Sequence, residues 1–240
     1  MGRSAKPRWL GLAFEFPRTK RGLVRLLVLP PGRRAATGLA AVLGIGGAYL
    51  LAKSRFPGRG LVEAIATLPI VVPPTVLGYY LLTVLGVRSP IGRAWHSVTG
   101  HQLVFTPTAA IVAATVSATP FCLRSARAAI ESVDGRFEQA ARTMGMAEWR
   151  VAARVTMPLA RRGLLAGVAL AFARALGDFG VTVMIAGNIP NRTQTLPVAV
   201  YDAVQAGNDH RASVMAAVLA VVAVMVLVGV NRWSRTSASA

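Results

Sequence analysis

Long apolar stretches alternate with short polar ones along most of this chain. Five of them are apolar enough to form membrane spans: residues 35–52, 61–86, 103–123, 163–187 and 212–230. The last holds nineteen residues without a charge. A helix needs about 20 apolar residues to cross roughly 30 Å of hydrocarbon. The pattern predicts an all-α polytopic transmembrane helical bundle of about five spans.

The second apolar stretch contains a predicted break. Its sequence "LPIVVPPTVLG" includes Pro69, Pro73 and Pro74, and each proline removes a backbone hydrogen-bond donor. Broken helices at membrane depth occur where protein or a water-filled cavity covers the freed carbonyls. Pro73, Pro74 and Thr75 are therefore candidates for lining a translocation path. The alternative is a kink that only fits the helix around its neighbour.

Basic residues predict the orientation. The segment 124–162 holds eight arginines, whereas the loops 87–102 and 188–211 hold two each. Because short cytoplasmic loops carry an excess of Lys and Arg, we expect segment 124–162, the basic 53–60 turn and the C-terminus in the cytoplasm.

The N-terminal tail conflicts with this orientation. Residues 1–34 carry nine Lys or Arg, yet five spans would place them outside. Three explanations stay open: the tail lies along the membrane surface, 35–52 does not cross fully, or the true start lies further along. We divide the chain into this basic tail (1–34), a transmembrane domain (35–232) and a short C-terminal tail (233–240).

Composition supports a membrane protein. Of 240 residues, 54% are hydrophobic and 15% are charged, against about a quarter charged in soluble domains. A net charge of +18 is also typical of nucleic-acid binding, but in a membrane protein it fits basic cytoplasmic loops. We therefore expect membrane lipid and no nucleic acid as partners.

Motifs for chemistry are absent from the sequence. One cysteine allows no internal disulfide, and three histidines show no paired metal-ligand spacing. The chain has no G-x-x-x-x-G-K-[ST], G-x-S-x-G or H-E-x-x-H motif. We expect no metal, no cofactor and no enzymatic activity, so any ATP would be hydrolysed by another chain.

The charged stretch "EQAARTMGMAEWRVAARVTMP", residues 138–158, interrupts the apolar pattern. Helical spacing places small and apolar side chains on one face: Phe137, Ala140, Ala141 and Met144. It leaves charged side chains more exposed: Glu138, Arg142 and Glu148. Gly145 predicts a bend, because glycine costs about 1 kcal/mol in a helix relative to alanine, and Pro158 fits the first turn of the next helix. The stretch either docks in a partner's groove or is a solvated basic linker.

A specific resemblance favours docking. Ala140-Ala141, Gly145 and the later Val155-Thr156-Met157-Pro158 resemble the coupling motif of ABC importer permeases, whose helix docks into a cleft on the ATPase subunit. The resemblance implies a coupling role for five residues: Glu138, Ala140, Ala141, Gly145 and Pro158.

The resemblance extends over about residues 35–232. The stretches "FPGRGLVEAIATLPIVVPPTVLGYYLL" and "AFARALGDFGVTVMIAGNIPNRTQTLPVAVYDAVQAG" resemble molybdate ABC transporter permeases, and "GNIPNRTQTLP" favours them over sulfate permeases. This implies a type I importer in the plasma (inner) membrane: a homodimer of this chain with ABC ATPase subunits and an external substrate-binding protein. A sulfate/thiosulfate or tungstate permease is the alternative within the group.

An ion-coupled secondary transporter is the alternative from another class. Such proteins often show internal repeats and intramembrane acids. Here only Asp178 lies in mid-span and no repeat is seen.

Arg174 and Asp178 lie one turn apart, about halfway along the predicted 163–187 span. An ion at the bilayer centre costs about 2.5–3.5 kcal/mol, so neither should face lipid. Either Arg174 offers its charge to a passing oxyanion while Asp178 holds the Arg174 side chain in place, or the two residues form a structural ion pair. Small residues at i, i+4 spacing predict close packing of this helix: Gly163, Gly167, Ala171 and Ala175.

A polar loop follows this span on the predicted outer side. Its candidate residues for contact with the external binding protein are Asn188, Arg192, Thr193 and Gln194. The alternative is an ordinary polar loop.

Overall fold

Helices account for nearly all regular structure in the computed structural model, which describes residues 31–54, 56–190 and 192–236. The helices are α1 Pro31–Lys53, α2 Arg59–Val71, α3 Pro74–Leu85, α4 Pro90–Thr99, α5 Pro107–Glu131, α6 Gly135–Thr143, α7 Glu148–Val151, α8 Met157–Leu176, α9 Gly180–Ala186, α10 Leu196–Gln205 and α11 Asp209–Thr236. Within the described ranges there is no strand. The predicted all-α bundle is confirmed.

The number of spans also agrees with the prediction. Among the described residues, four helices are long and apolar enough to cross a membrane: Arg34–Lys53, Pro107–Glu131, Glu148–Leu176 and Asp209–Gly229. The pair α2 and α3 adds a fifth candidate, as a broken span or a re-entrant loop. The stretch 35–52 therefore lies in a helix of sufficient length, while residues 1–30 of the basic tail fall outside the described ranges.

The break predicted at the proline pair is confirmed. Helices α2 and α3 meet at a bend of 118°. Val72 and Pro73 are extended, and Pro74 occupies the first turn of α3, where its missing N–H costs no helical hydrogen bond.

The predicted 163–187 span is wrong as a single helix. Helix α8 ends at Leu176, and α9 begins at Gly180 after a three-residue break. At its other end, α8 continues from α7 through a π turn, Ala152–Thr156. Pro158 cannot donate a backbone hydrogen bond, and just before it the Met157 N–H bonds to the Ala152 carbonyl, which is the π-helical spacing.

Helix α5 is the centre of the bundle, with α1 and α8 packed against it. Alanines dominate the contact: Ala36 and Ala40 of α1 join Ala118 of α5 and Ala171 and Ala175 of α8 in one buried cluster. The close packing predicted for the small residues of α8 is thus observed. Helices α3 and α9 pack beside α5 in a second cluster, and α10 and α11 form a third.

Candidate transport and coupling sites

Residues 134–158, which we name the coupling segment, form a helix, a bend and a second helix. Asp134 caps α6, where its Oδ1 accepts a hydrogen bond from the Arg136 N–H at 2.9 Å. The bend predicted at Gly145 is confirmed, since this residue has φ +76°, a conformation that favours glycine. Across the bend, the Arg142 guanidinium holds both carboxylate oxygens of Glu148, at 2.7 and 3.1 Å.

The coupling segment exposes large apolar side chains among charged ones. Phe137 is 57% exposed and Met144 is 75% exposed, and Ala140 and Gly145 also lie at the surface. Ala141, by contrast, is buried. Ala141 is therefore turned inward in the single chain, and the coupling role that the resemblance implies for it stays a prediction.

Glu138 also corrects the sequence prediction. It was expected to be exposed, but only 5% of its side chain is. Its Oε2 lies 2.7 Å from the Lys53 Nζ, and its Oε1 accepts a hydrogen bond from the Thr156 hydroxyl at 2.7 Å. Arg142 lies further away, at 3.9 Å. The ion pair with Lys53 turns the carboxylate toward the end of α1.

The charge of Glu138 is stabilised where it is buried. Burial alone would raise the pKa of this carboxyl, but the hydrogen bonds from Lys53 and Thr156, together with the positive charges of Lys53 and Arg142, leave the pKa below its usual value. Sequence reasoning missed both partners. Lys53 is 85 residues from Glu138 and Thr156 is 18 residues away. Two features of the sequence could have pointed to them: Lys53 is a basic residue at the end of the apolar stretch 35–52, and Thr156 is the hydroxyl residue of "VTMP".

Arg174 and Asp178 form the expected pair, with 3.0 Å between Arg174 Nη1 and Asp178 Oδ1. Asp178 is fully buried and accepts three more hydrogen bonds, from the Ser117 hydroxyl and from the Thr182 N–H and hydroxyl. It lies in the break between α8 and α9, not within a continuous helix as predicted. The Arg174 side chain keeps 23% of its surface exposed. Ser117, to which the sequence assigned no role, completes this network.

The two helix breaks pack against each other. A Cβ placed on Gly180, the first residue of α9, would lie 2.8 Å from the Pro74 Cβ and 3.2 Å from the Thr75 N. Only glycine allows this approach. The structure thus brings Pro73, Pro74 and Thr75 next to the break that carries Asp178. Since a partly exposed guanidinium lies beside the same break, an anion could be attracted to this region.

The four outer-loop candidates differ in exposure. Asn188 and Arg192 are exposed, but Thr193 is buried and its hydroxyl accepts a hydrogen bond from the Ile189 N–H at 3.1 Å. The Thr193 side chain thus points into the loop, where it bonds to the backbone, and not toward the surface. Gln194 donates to Asn188 at 2.9 Å, and both donate to Asp202 of α10, an acid that sequence reasoning did not single out.

No group of three or more His, Cys, Asp or Glu residues that could hold a metal ion occurs in the described part of the chain.

The fold is that of the type I ABC importer permeases. The structure resembles a chain of the inward-facing MetNI methionine ABC transporter, with a TM-score of 0.68 over 89% of this chain and 93% of that chain, at 19% identity. It also resembles a chain of a bacterial alginate ABC transporter, with a TM-score of 0.70 over 92% and 81%, at 16% identity.

The family follows from the sequence. Residues 40–234 match the model of the binding-protein-dependent transport system inner membrane component, and the chain belongs to this family. It is a multi-pass inner-membrane transport subunit. The ion-coupled secondary transporter, considered above as an alternative, is overturned by this membership.

Among the relatives of similar sequence are permease proteins of molybdenum and sulfate transport systems. The molybdenum transport system permease protein ModB of Escherichia coli (strain K12) is 38% identical over 79% of this chain and 83% of its own length. The putative molybdenum transport system permease protein YvgM of Bacillus subtilis is 37% identical over 78% and 82%. The sulfate transport system permease protein CysW of Synechocystis is 35% identical over 79% and 68%.

Proposed function

We propose that this chain is the permease subunit of an ATP-driven importer that moves molybdate into the cytoplasm. The similarity to molybdenum permeases over 190 residues carries the proposal. That length includes the proline break, the coupling segment and the Arg174–Asp178 pair. Sulfate permeases are also similar, but the match covers a smaller share of their length.

The coupling segment supports an ABC ATPase subunit as the partner. Phe137 and Met144 expose large apolar surfaces beside Ala140 and Gly145, and exposed apolar patches mark interaction sites. ATP-driven closure of two such subunits would move the coupling segments. The arginines of residues 124–162 favour a cytoplasmic position for this region. The chain itself performs no chemistry on the anion.

The paired breaks support a path between two copies of this chain. In the single chain, Pro73, Pro74 and Thr75 are exposed, and Tyr79 and Tyr80 of α3 are 54% and 58% exposed. A second copy would cover this surface and place Arg174 near an internal path. The external binding protein would deliver the anion on the side of the membrane opposite the coupling segment, near Asn188, Arg192 and Gln194.

Transport by the reconstituted complex tests the proposal. Proteoliposomes with the permease, its ATPase subunit and its binding protein should accumulate radiolabelled molybdate only when ATP is present. Unlabelled tungstate, which has nearly the same size and charge, should compete, and sulfate should compete weakly. Preferential uptake of sulfate would assign the chain to the sulfate/thiosulfate permeases instead.

A further inference from the structure

Three parts of the fold meet at the Glu138 carboxylate. Glu138 lies on α6, Lys53 is the last residue of α1, and Thr156 is the last residue of the π turn that leads into α8. One carboxylate oxygen bonds to Lys53 and the other to Thr156, both at 2.7 Å. We name these three residues the clamp.

The clamp lies on the inner side of the coupling segment. The side chain of Glu138 is 5% exposed and Thr156 is 1% exposed, whereas Lys53 keeps 27% of its side chain exposed. The clamp therefore lies behind the apolar face of Phe137 and Met144 rather than on it. A carboxylate with so little exposure that loses one partner retains an uncompensated buried charge, which is far more damaging than the loss of a surface pair.

The clamp connects α6 to one end of each of the two long helices α1 and α8. From Thr156, α8 runs to Leu176, where the Arg174–Asp178 pair and the break to α9 begin. From Lys53, α1 runs along α5 and α8 in the buried alanine cluster. The clamp fixes α6 directly to the start of α8, in addition to the Arg142–Glu148 pair that joins α6 to α7, so a movement imposed on α6 has a route along α8 to the break.

We propose that Glu138 is a positioning residue that fixes α6 to the ends of α1 and α8, so that movement of the coupling segment reaches the paired helix breaks. Glu138 does this from inside the chain and does not touch the ATPase subunit. The inference rests on the proposed import function and assigns Glu138 a role in the efficiency of coupling.

The test measures molybdate uptake per ATP hydrolysed in proteoliposomes that hold permease, ATPase subunit and binding protein. Glu138→Gln removes the charge and keeps the shape. It should lower uptake per ATP by about three- to thirty-fold, the range that packed networks contribute to coupling. The ATPase subunit should still co-purify with the variant, since the docking face is unchanged. The charge reversal Lys53→Glu/Glu138→Lys should restore part of the uptake per ATP hydrolysed that is lost in Glu138→Gln.

Glu131→Gln is the matched control. Glu131 also pairs with basic residues, Arg127 and Arg59, but its side chain is 45% exposed and it lies outside the clamp. This variant should keep the wild-type ratio. An equal loss in Glu131→Gln, or a wild-type ratio in Glu138→Gln, would overturn the proposal. Loss of the ATPase subunit from Glu138→Gln would overturn it too, because it would place Glu138 in the docking surface.

If Glu138→Gln does not assemble, two variants of Thr156 test the proposal through the same ratio of uptake to ATP hydrolysed. Thr156→Val keeps the shape and removes the hydroxyl, and Thr156→Ser keeps the hydroxyl. The proposal requires a reduced ratio in the first and a near wild-type ratio in the second; equal ratios would overturn it. Absence of uptake by the wild-type complex is a different result, since it would refute the proposed import function and not the clamp.

Discussion

At the residue scale, two acids in the described part of the chain are buried, and each has a basic partner. Glu138 pairs with Lys53, and Asp178 pairs with Arg174. Both carboxylates also accept hydrogen bonds from threonine hydroxyls. Buried charges persist where a counter-charge and hydrogen bonds replace water. The basic partners differ in location: Arg174 lies beside the paired breaks, while Lys53 lies at the end of α1.

The first prediction concerns the Arg174–Asp178 pair. Asp178→Ala should lower the amount of assembled permease more than Arg174→Ala, because it leaves Ser117, Thr182 and Arg174 without their acceptor. Breaking a buried pair commonly costs about 3–5 kcal/mol. Western blots of membrane fractions and molybdate uptake measure the two effects.

The double variant Arg174→Ala/Asp178→Ala separates structure from transport. We expect partial recovery of assembly without recovery of uptake, since the unpaired guanidinium is removed but the charge offered to the anion stays missing. Full recovery of uptake would show that Arg174 has no role toward the anion.

The second prediction uses the lowered pKa of Glu138. A carboxyl with a folded-state pKa below the unfolded value adds stability that is fully present above the unfolded pKa. That stability is lost as the pH falls through the folded pKa. Wild type should therefore melt at a higher temperature than Glu138→Gln at neutral pH, and the difference should shrink below about pH 4.3, the unfolded value for glutamate.

Thermal unfolding of the purified permease in detergent, followed across this pH range for both proteins, checks the second prediction. Glu131→Gln again serves as the control and should show a smaller difference from wild type. A gap between wild type and Glu138→Gln that widens on acidification would contradict a lowered folded-state pKa for Glu138.

At the element scale, breaks and bends shape the helices more than their lengths do. The α2–α3 break follows from two prolines, whereas the α8–α9 break contains Asp178, whose side chain accepts the Thr182 N–H. Gly145, with a positive φ, forms the bend that follows α6 in the coupling segment. These features produce the two packed breaks and the exposed turn of the coupling segment.

The third prediction tests the coupling segment through Gly145. Gly145→Trp should abolish uptake and co-purification of the ATPase subunit, because a large side chain on this open surface would block docking. Insertion of the permease should persist.

Two further substitutions separate bulk from backbone strain at Gly145. Gly145→Ala carries the strain of a positive φ without the bulk, and Gly145→Asn tolerates this φ better. Both should retain most of the uptake. Loss of uptake in Gly145→Ala as complete as in Gly145→Trp would attribute the effect to strain, and normal uptake by Gly145→Trp would reduce the segment to a linker.

At the scale of the whole molecule, one orientation must place the coupling segment toward the ATPase subunit and the α9–α10 loop toward the binding protein. The eight arginines of residues 124–162 and the two of 188–211 predict this arrangement. The structure is compatible with it, since Arg136 and Arg150 are exposed in the coupling segment and Arg192 is exposed in the loop.

The fourth prediction is the topology itself. In a Cys122→Ala background, Arg136→Cys and Arg150→Cys should be protected from an impermeant thiol reagent added to intact cells, and Arg192→Cys should react. All three should react after the membrane is permeabilised, which controls for accessibility. Reaction of the first two alone in intact cells would reverse the orientation and remove the coupling assignment.

Much of this protein is determined by its sequence over short distances. The apolar stretches, the break at Pro73–Pro74, the bend at Gly145 and the Arg174–Asp178 pair are all present in the structure. Each depends on neighbours within about one or two helical turns: hydrophobic periodicity, a missing N–H, a positive φ, and i, i+4 spacing.

Tertiary structure alone decided which way several of these residues face. Glu138 turns inward because Lys53, 85 residues earlier in the chain, ends beside it, and Asp178 is satisfied by Ser117 from another helix. The two breaks meet because Gly180 lets α9 approach Pro74. A helical pattern predicts which residues share a face, but it carries no information on which distant helix that face will contact. Burial and pairing of such residues are therefore set only when the bundle packs.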